Sequence, residues 1–273
     1  MNKHVPKINV RVQPFEHVEL CMGTAFRFAG NTPLSSTETA YLVFSACAKL
    51  HEADQLFSLY KPESQLSQLA RGETNVDSSS PLVGEMWEMA MDWEKETQGW
   101  FSAFTPQRTF DPSGIVKTWA AIEAALVLMA GGITDFTVNA GGDVWLGPDL
   151  TERKSFRIGI HKPVSIAAED AGVLTVIDLF GTKFTAMATS GSAERGGHIW
   201  NPKQPDAEPN ELLQVSVVST SLVRADVWAT AAFAAGKQGI KLLEEQKDLE
   251  ALFILANGEL ASTSGFAALL AKP

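Results

Sequence analysis

The spacing of apolar residues along the chain predicts four helices. The first follows a possible capping box of Ser35 and Glu38, and we expect it to end near Tyr60. Its apolar stripe consists of Ala40, Val43, Phe44, Cys47 and Leu50. A second helix, which Gly99 would end, has its apolar face at Leu82, Met86, Met89, Ala90 and Trp93.

Two more helices follow segments rich in small polar residues. Residues 111–132, DPSGIVKTWAAIEAALVLMAGG, predict a loop that becomes a long helix, with Asp111 or Ser113 as its cap and Gly131 beyond its end. Residues 221–236, SLVRADVWATAAFAAG, predict the fourth helix, with its cap between residues 219 and 221. The start of the third helix is a natural place for an anion, because its first N–H groups are free and its dipole is positive there.

Alternating or short apolar runs predict strands, most of them in the second half of the chain. Residues 18–28 alternate and predict one strand, and residues 133–148 predict two short strands joined at Gly141 and Gly142. Further strands are expected at residues 156–160, 173–179, 183–189 and 212–219. Asn257-Gly258 lies between two apolar runs and predicts a hairpin.

The order of these elements indicates a mixed α and β fold. The absence of a fixed-period repeat argues against solenoids and propellers. We therefore expect one domain over residues 1–273, with a helix-rich part at 1–131 and a sheet-rich part at 132–273.

Composition and charge are those of an acidic globular protein. The chain has 273 residues, 45% of them hydrophobic and 20% charged, so it can bury a large core. Its formal net charge of −10 argues against a broad surface for nucleic acid or an anionic membrane. The first twenty residues lack an apolar signal-peptide core, and we expect no stretch to span a bilayer. The expected location is therefore cytoplasmic, without a membrane anchor.

The cysteines and most histidines give no sign of a metal site in the sequence. Cys21 and Cys47 form no Cys-x-x-Cys pair, so we expect neither structural zinc nor a disulfide. Cys47 is interpreted as a small buried hydrophobe. Surface or packing roles are expected for His4, His17, His51 and His161.

A carboxylate and a hydroxyl share one face of the fourth predicted helix. Asp226 and Thr230 stand four residues apart, and both are hard oxygen ligands of the kind that Mg²⁺ takes together with water and substrate phosphates. The spacing alone favours a structural interpretation, namely an acid near a helix N-terminus and a packed threonine.

Two further features are typical of phosphate or nucleotide contacts. Lys117 lies one turn into the third predicted helix, where it can hold a phosphate, although the Walker A pattern is absent and a lone lysine there is usually solvated. The tripeptide Gly141-Gly142-Asp143 offers a backbone that can approach a ligand closely, followed by a hydrogen-bond acceptor. By itself this tripeptide more often marks a turn.

Residues 188–202, ATSGSAERGGHIWNP, form a glycine-rich segment with several reactive side chains. It carries Thr189, Ser190, Gly191 and His198. Such a loop can place an imidazole beside a hydroxyl nucleophile or a phosphate. His198 is therefore the histidine with a possible chemical role.

Six motifs, in this order, resemble the ApbE-type FAD:protein FMN transferase family over nearly the whole chain. They are CMGTAF, LFSLYKPESQLSQL, FDPSGIVKTWA, VNAGGDVWLG, ATSGSAERGGHIWNP and ADVWATAAFAAG. The resemblance implies an α+β fold with largely antiparallel sheets, flanking helices and a flavin cleft between two intimate halves. It also reverses the interpretation of Asp226, because the family binds Mg²⁺ through the Asp and Thr of an A-D-x-x-x-T motif.

The resemblance assigns roles to individual residues. It implies that Asp226 and Thr230 bind Mg²⁺ with the backbone carbonyl of Val116, and that His198 is the base for an acceptor threonine. The residues that match segments around FAD are Met22, Tyr60, Lys117, Gly141, Gly142, Asp143, Thr189, Ser190 and Gly191. The implied reaction moves FMN from FAD to a threonine or serine of an acceptor protein and releases AMP.

Two other flavin functions remain open at this point. The same site would serve an FAD pyrophosphatase, in which water replaces the acceptor and free FMN and AMP are released. A flavin-binding protein without turnover is the non-enzymatic alternative, and a purely structural role ranks last.

Several positions depart from the family pattern. The Lys-Gly pair of the family is Lys117-Thr118 here, and Ile122 stands where an aspartate is expected. The G-x-F-D motif reads GWFS at residues 99–102, and P-x-T-G reads PKQP at residues 202–205. The departures at Thr118 and Ile122 predict adenosine contacts that differ from those of the family.

Overall fold

An eight-stranded antiparallel sheet forms the centre of the fold. The computed structural model describes residues 12–149, 155–163, 172–191, 199–205 and 211–272. Its strands are β1 Gln13–Cys21, β2 Thr24–Thr32, β3 Asp135–Ala140, β4 Asp143–Leu146, β5 Arg157–His161, β6 Val173–Asp178, β7 Ala186–Gly191, β8 Leu212–Ser219, β9 Glu250–Leu255 and β10 Leu260–Ser262. The large sheet has the order β1-β2-β3-β4-β7-β8-β9-β10, and β5 pairs with β6 separately.

Helices flank this sheet and confirm the mixed class with largely antiparallel pairing. They are α1 Ser36–Phe57, α2 Gln65–Ala70, α3 Pro81–Glu96, α4 Ser113–Ala130, α5 Leu222–Ala234 and α6 Gln238–Glu244. The four helices predicted from apolar spacing are α1, α3, α4 and α5. The two others, α2 and α6, have six and seven residues and are too short for a clear periodic pattern.

The strand predicted at residues 18–28 is wrong in one respect, because a hairpin turn divides it. Cys21 pairs with Thr24, and the two residues between them have φ values of 51° at Met22 and 70° at Gly23. Two left-handed residues are what a tight two-residue hairpin needs. Methionine is rarely found in this conformation, so the sequence contained only half of the usual turn signal.

The first helix confirms its capping box and three of the five residues of its predicted stripe, since Val43, Cys47 and Leu50 are buried. The Ser35 side chain accepts from the Glu38 backbone N–H, and the Glu38 side chain accepts from the Ser35 backbone N–H. Of the predicted stripe, Ala40 and Phe44 are exposed, with Phe44 at 76% of its surface. The buried residues are Thr39, Val43, Ala46, Cys47, Leu50, Ala53 and Phe57. Phe44 and Ala40 lie to one side of this buried arc.

Helix α4 is long and apolar enough to cross a membrane by length and composition alone. No such stretch was expected from the sequence. It has 18 residues and a mean hydropathy of 1.4. In the fold it contacts α1 and α5, and 44% of the helix is buried. Its buried side chains include Ile115, Ala120, Ala121, Ala124 and Leu128. The high hydropathy of α4 is therefore accounted for by its packing as a core helix.

Replacing Gly141 by alanine is expected to destabilise the fold by about 2 kcal/mol. Gly141 joins β3 to β4 with φ of +63°, and a Cβ there would lie 2.4 Å from Thr24 Oγ1. The strain of a left-handed alanine and the steric clash with Thr24 therefore both lower the free energy of unfolding. Urea unfolding measures the loss. The matched control is Gly258→Ala, since Gly258 has φ of +83° with nothing near its Cβ position. Equal losses in both variants would contradict the clash.

Candidate functional site

The start of α4 brings Gly114 and Lys117 to the wall of an open cleft. Pro112 is the N-cap, and Asp111 Oδ1 accepts from the Ser113 backbone N–H at 3.0 Å. Of the two predicted caps, Asp111 therefore supplies the acceptor, and Ser113 is the first helical residue. The Ile115 and Val116 N–H groups donate to the Pro112 carbonyl, so an anion at this end would meet the Gly114 N–H and the positive end of the helix dipole.

Asp226 is held inside the fold by residues of α4. The Thr118 hydroxyl donates to Asp226 Oδ2 at 3.0 Å, and Lys117 Nζ lies 3.8 Å from the same oxygen. Only 4% of Asp226 is exposed. One turn further along α5, Thr230 Oγ1 lies 3.1 Å from Ser190 Oγ on β7. A carboxylate and two hydroxyls are thus brought together from two elements.

A second carboxylate fixes the lysine from the opposite side. Lys117 Nζ forms an ion pair with Asp143 Oδ2 at the start of β4. Asp143 is 1% exposed, and its other oxygen accepts from the Thr189 backbone N–H at 2.9 Å. Lys117 therefore lies between two buried carboxylates, Asp143 and Asp226. This arrangement sets the direction of its ammonium group without help from a ligand.

Two clefts meet at the start of α4. The wall of the first includes Lys117, Ser190, Gly191, Asp226 and Thr230. The second is lined by Met22, Tyr60 and Val116, among others. Both clefts share Asp111, Ser113 and Lys117. The two clefts therefore adjoin at the start of α4.

The segments that depart from the family pattern line the first cleft. Trp100, Phe101, Ser102 and Pro202 all face it. Lys203 Nζ lies 4.2 Å from the centre of the Trp100 ring, within the range of a cation–π contact. Of the residues that depart from the family pattern, Ser102 lies on this wall and can change what the cleft accepts, whereas Thr118 is buried.

The structure brings most of the predicted site residues to these clefts. Lys117, Thr189, Ser190, Gly191, Asp226 and Thr230 line the first, and Met22, Tyr60 and Val116 line the second. Asp143 joins them through Lys117. Gly141 and Gly142 form the β3–β4 turn and, within the described ranges, are part of neither cleft. His198 lies outside the described residues, so its role stays a prediction.

The donor set beside Asp226 fits a magnesium ion. It consists of the Asp226 carboxylate and the Thr230 and Ser190 hydroxyls, which are hard oxygen ligands. Mg²⁺ commonly takes one or two carboxylates and completes its shell with water and substrate phosphates, and the adjoining cleft leaves room for both. Val116 lines the neighbouring cleft, with its side chain in the core.

Thr118 is a site residue that the sequence analysis missed. It had been noted only as a departure from a glycine, yet its hydroxyl contacts the central carboxylate, Asp226. Thr118 is fully buried on a helix face that is otherwise made of alanine and larger apolar residues. A lone hydroxyl on such a face was the available signal, since a buried hydroxyl needs a partner.

Comparison with known proteins gives a family match over more than half of the chain. The model of the ApbE family matches residues 104–253. This range contains α4, β4, β7 and α5, which carry Lys117, Asp143, Ser190 and Asp226. The matched region is therefore the one that builds the first cleft.

Curated relatives match over a similar portion. A FAD:protein FMN transferase of Klebsiella pneumoniae (strain 342) is 27% identical over 168 residues, 58% of this chain and 49% of the relative. The FAD:protein FMN transferase of Escherichia coli (strain K12) is 24% identical over 166 residues. The chain spans about half the length of the curated relatives it matches.

Solved structures share the fold at low sequence identity. The flavin transferase ApbE from Vibrio cholerae superposes with a TM-score of 0.74 and 21% identity, covering 95% of this chain and all of the other. The ApbE protein from Thermotoga maritima gives a TM-score of 0.76 at 19% identity, again covering 95% of this chain. These superpositions establish the fold.

Proposed function

The chain belongs to the ApbE family, and on that premise we propose that it transfers FMN from FAD to a threonine or serine of an acceptor protein and releases AMP. The observation that carries the proposal is the convergence of Lys117, Asp226, Thr230 and Ser190 beside the start of α4. Cationic, anion-binding and metal-binding groups are what phosphoryl transfer requires in one place. Relatives named FAD:protein FMN transferase agree with this chemistry.

In this proposal the pyrophosphate of FAD binds at the start of α4. The Gly114 N–H, the positive end of the helix dipole and the Lys117 ammonium attract phosphate oxygens. The two clefts that adjoin there have otherwise different walls, so each can take one half of an elongated dinucleotide. Met22 and Tyr60 would line one half, and Thr189 with Gly191 the other.

Asp226, Thr230 and Ser190 would hold Mg²⁺ beside the phosphates, with the Val116 carbonyl as the further ligand that the family implies. Bound there, the ion neutralises negative charge that grows on the phosphate oxygens during transfer. Thr118 keeps Asp226 oriented through its hydroxyl, and Lys117 balances the charge of the same carboxylate.

The transfer step exchanges one phosphorus–oxygen bond for another. The acceptor hydroxyl oxygen bonds to the phosphorus of the FMN phosphate, and the bond from that phosphorus to the bridging oxygen breaks. AMP leaves with the bridging oxygen. We assign the hydroxyl proton to His198, because a threonine hydroxyl is a poor nucleophile at neutral pH without a base.

Incubation with FAD and Mg²⁺, with and without a peptide carrying the acceptor threonine motif of the family, tests the proposal. Mass spectrometry should show an FMN adduct on the peptide together with free AMP. Release of free FMN and AMP without an adduct would replace the proposal by a pyrophosphatase. Flavin binding without either product would indicate a binding protein that lacks turnover.

His198→Ala is expected to slow FMN transfer at least ~100-fold while FAD binds normally. Loss of a general base affects the chemical step, whereas binding depends on the two clefts. Transfer is measured by mass spectrometry and binding by quenching of FAD fluorescence. His161→Ala is the matched control, since His161 is an exposed histidine on β5. A wild-type transfer rate in His198→Ala would place the base elsewhere.

A further inference from the structure

Five potential metal ligands come together where β1 packs on α1, away from the two clefts. His17, Glu19 and Cys21 alternate along β1, so their side chains leave the same face of the sheet. Cys47 and His51 stand four residues apart on α1, so they share one helix face. We refer to these five residues as the β1–α1 cluster.

The distances within the β1–α1 cluster are short. Glu19 Oε2 lies 3.0 Å from His17 Nε2, and Glu19 Oε1 lies 2.9 Å from His51 Nε2. The ligand atoms of His17, Glu19 and Cys47 all lie within 4.8 Å of one another. Cys21 Sγ lies 3.6 Å from His51 Nδ1. Glu19 is therefore at the centre, with a histidine on each of its carboxylate oxygens.

From this geometry we propose that His17 Nε2, the Glu19 carboxylate and Cys47 Sγ bind a zinc ion, with His51 holding the second oxygen of Glu19. Imidazole, carboxylate and thiolate are the three ligand types that zinc takes in proteins. Bonds of about 2.0–2.3 Å in a tetrahedral shell place ligand atoms about 3–4 Å apart. The three ligand atoms, which lie within 4.8 Å of one another, therefore have to move only slightly closer together to bind the ion. Water fills the fourth position.

The β1–α1 cluster is exposed to solvent on one side and buried on the other. The side chains of His17 and Glu19 are 39% and 25% exposed, whereas Cys47 is 5% exposed. An ion can therefore enter from solvent past His17 and meet the sulfur at the bottom. The carboxylate and a thiolate together carry two negative charges, which match a divalent cation.

Other uses of these side chains fit less well. Burial, followed by the charge of Glu19 and a hydrogen bond to it, raises the pKa of Cys47 to about 12, so this sulfur is a thiol in the metal-free protein and releases its proton when the ion binds. Mg²⁺ and Ca²⁺ prefer oxygen-only shells, so a site with sulfur and nitrogen selects a softer ion. The oxygen donors at Asp226, in contrast, favour a hard ion such as Mg²⁺.

The proposal differs from the expectation that these histidines only pack or face solvent and that structural zinc is absent. Sequence spacing could not show it, because the ligands belong to two elements separated by the β2 strand. Only the packing of α1 on β1 brings them together. An ion there would link the β1–β2 hairpin to α1, and the turn of that hairpin carries Met22 of the second cleft.

Titration of the reduced, metal-free full chain with Co²⁺ tests the proposal. Cobalt reports its ligands, and we expect one thiolate-to-cobalt charge-transfer band that saturates at one ion per chain and disappears when Zn²⁺ is added. The oxygen donors at Asp226 cannot give this band, so the result is independent of the proposed transferase activity. Absence of the band at saturating Co²⁺ would overturn the proposal.

Single substitutions then identify the ligands. Cys47→Ala should remove the band, and His17→Gln should lower the Co²⁺ affinity at least about 10-fold. His17 is partly exposed, so this variant keeps its fold and the test remains decisive if Cys47→Ala unfolds. Cys21→Ala is the matched control and should keep the band. A band lost in Cys21→Ala, or an unchanged affinity in His17→Gln, would contradict the assigned ligands.

Discussion

FMN transfer by Asp226→Asn is expected to be about 1000-fold slower than by the wild type. The substitution keeps the shape of the side chain and an oxygen that can accept from Thr118, but it removes the negative charge that would hold Mg²⁺. Charge neutralisation by a metal contributes several kcal/mol to a phosphoryl transfer, and about 4 kcal/mol corresponds to this factor. Initial rates of adduct formation by mass spectrometry measure it.

The controls separate metal binding from damage to the fold. Thr230→Val should also slow FMN transfer, and EDTA should cause the same loss of transfer in the wild type. Asp92→Asn changes an exposed aspartate on another helix, α3, and should transfer FMN at the wild-type rate. Full activity of Asp226→Asn, or of the wild type in excess EDTA, would exclude the metal assignment.

Site residues could be predicted from sequence where a single element fixes their relative positions. Asp226 and Thr230 share a face because they are one helical turn apart, and the structure places both at the first cleft. Lys117 follows from its place in the first turn of α4, where anions are favoured. Local geometry determined these positions, whereas the roles in metal and FAD binding came from the family resemblance, because the spacing alone favoured a structural interpretation.

Relations that depend on tertiary packing could not be predicted in this way. The contact of Thr118 with Asp226 exists because α4 packs on α5, and the sequence showed only a hydroxyl in place of a glycine. Phe44 lies on the apolar stripe by periodicity, yet α4, α2 and β1 pack on α1 and leave Phe44 exposed. The hairpin turn at Met22 was missed because it uses a residue that rarely adopts positive φ.

Lys117→Met is expected to lower the free energy of unfolding by about 3 kcal/mol even without any ligand. The substitution keeps most of the apolar stem but leaves the buried carboxylate of Asp143 without its cation, and a buried charge that loses its partner is costly. Asp226, which lies 3.8 Å from the same ammonium, adds to the loss. Urea unfolding of the ligand-free protein measures the effect.

A double-mutant cycle shows whether the ion pair is the cause. In Lys117→Met combined with Asp143→Asn the buried charge at position 143 is gone, although that of Asp226 remains, so the double variant should be more stable than Lys117→Met alone. Lys61→Met is the matched control, because Lys61 pairs with Asp54 near the surface and its loss should cost less than about 1 kcal/mol. Strictly additive losses in the cycle would mean that Lys117 and Asp143 do not stabilise each other. A coupled pair, in contrast, means that the lysine is already fixed at the start of α4 before FAD binds, so little side-chain entropy is lost when the phosphates arrive.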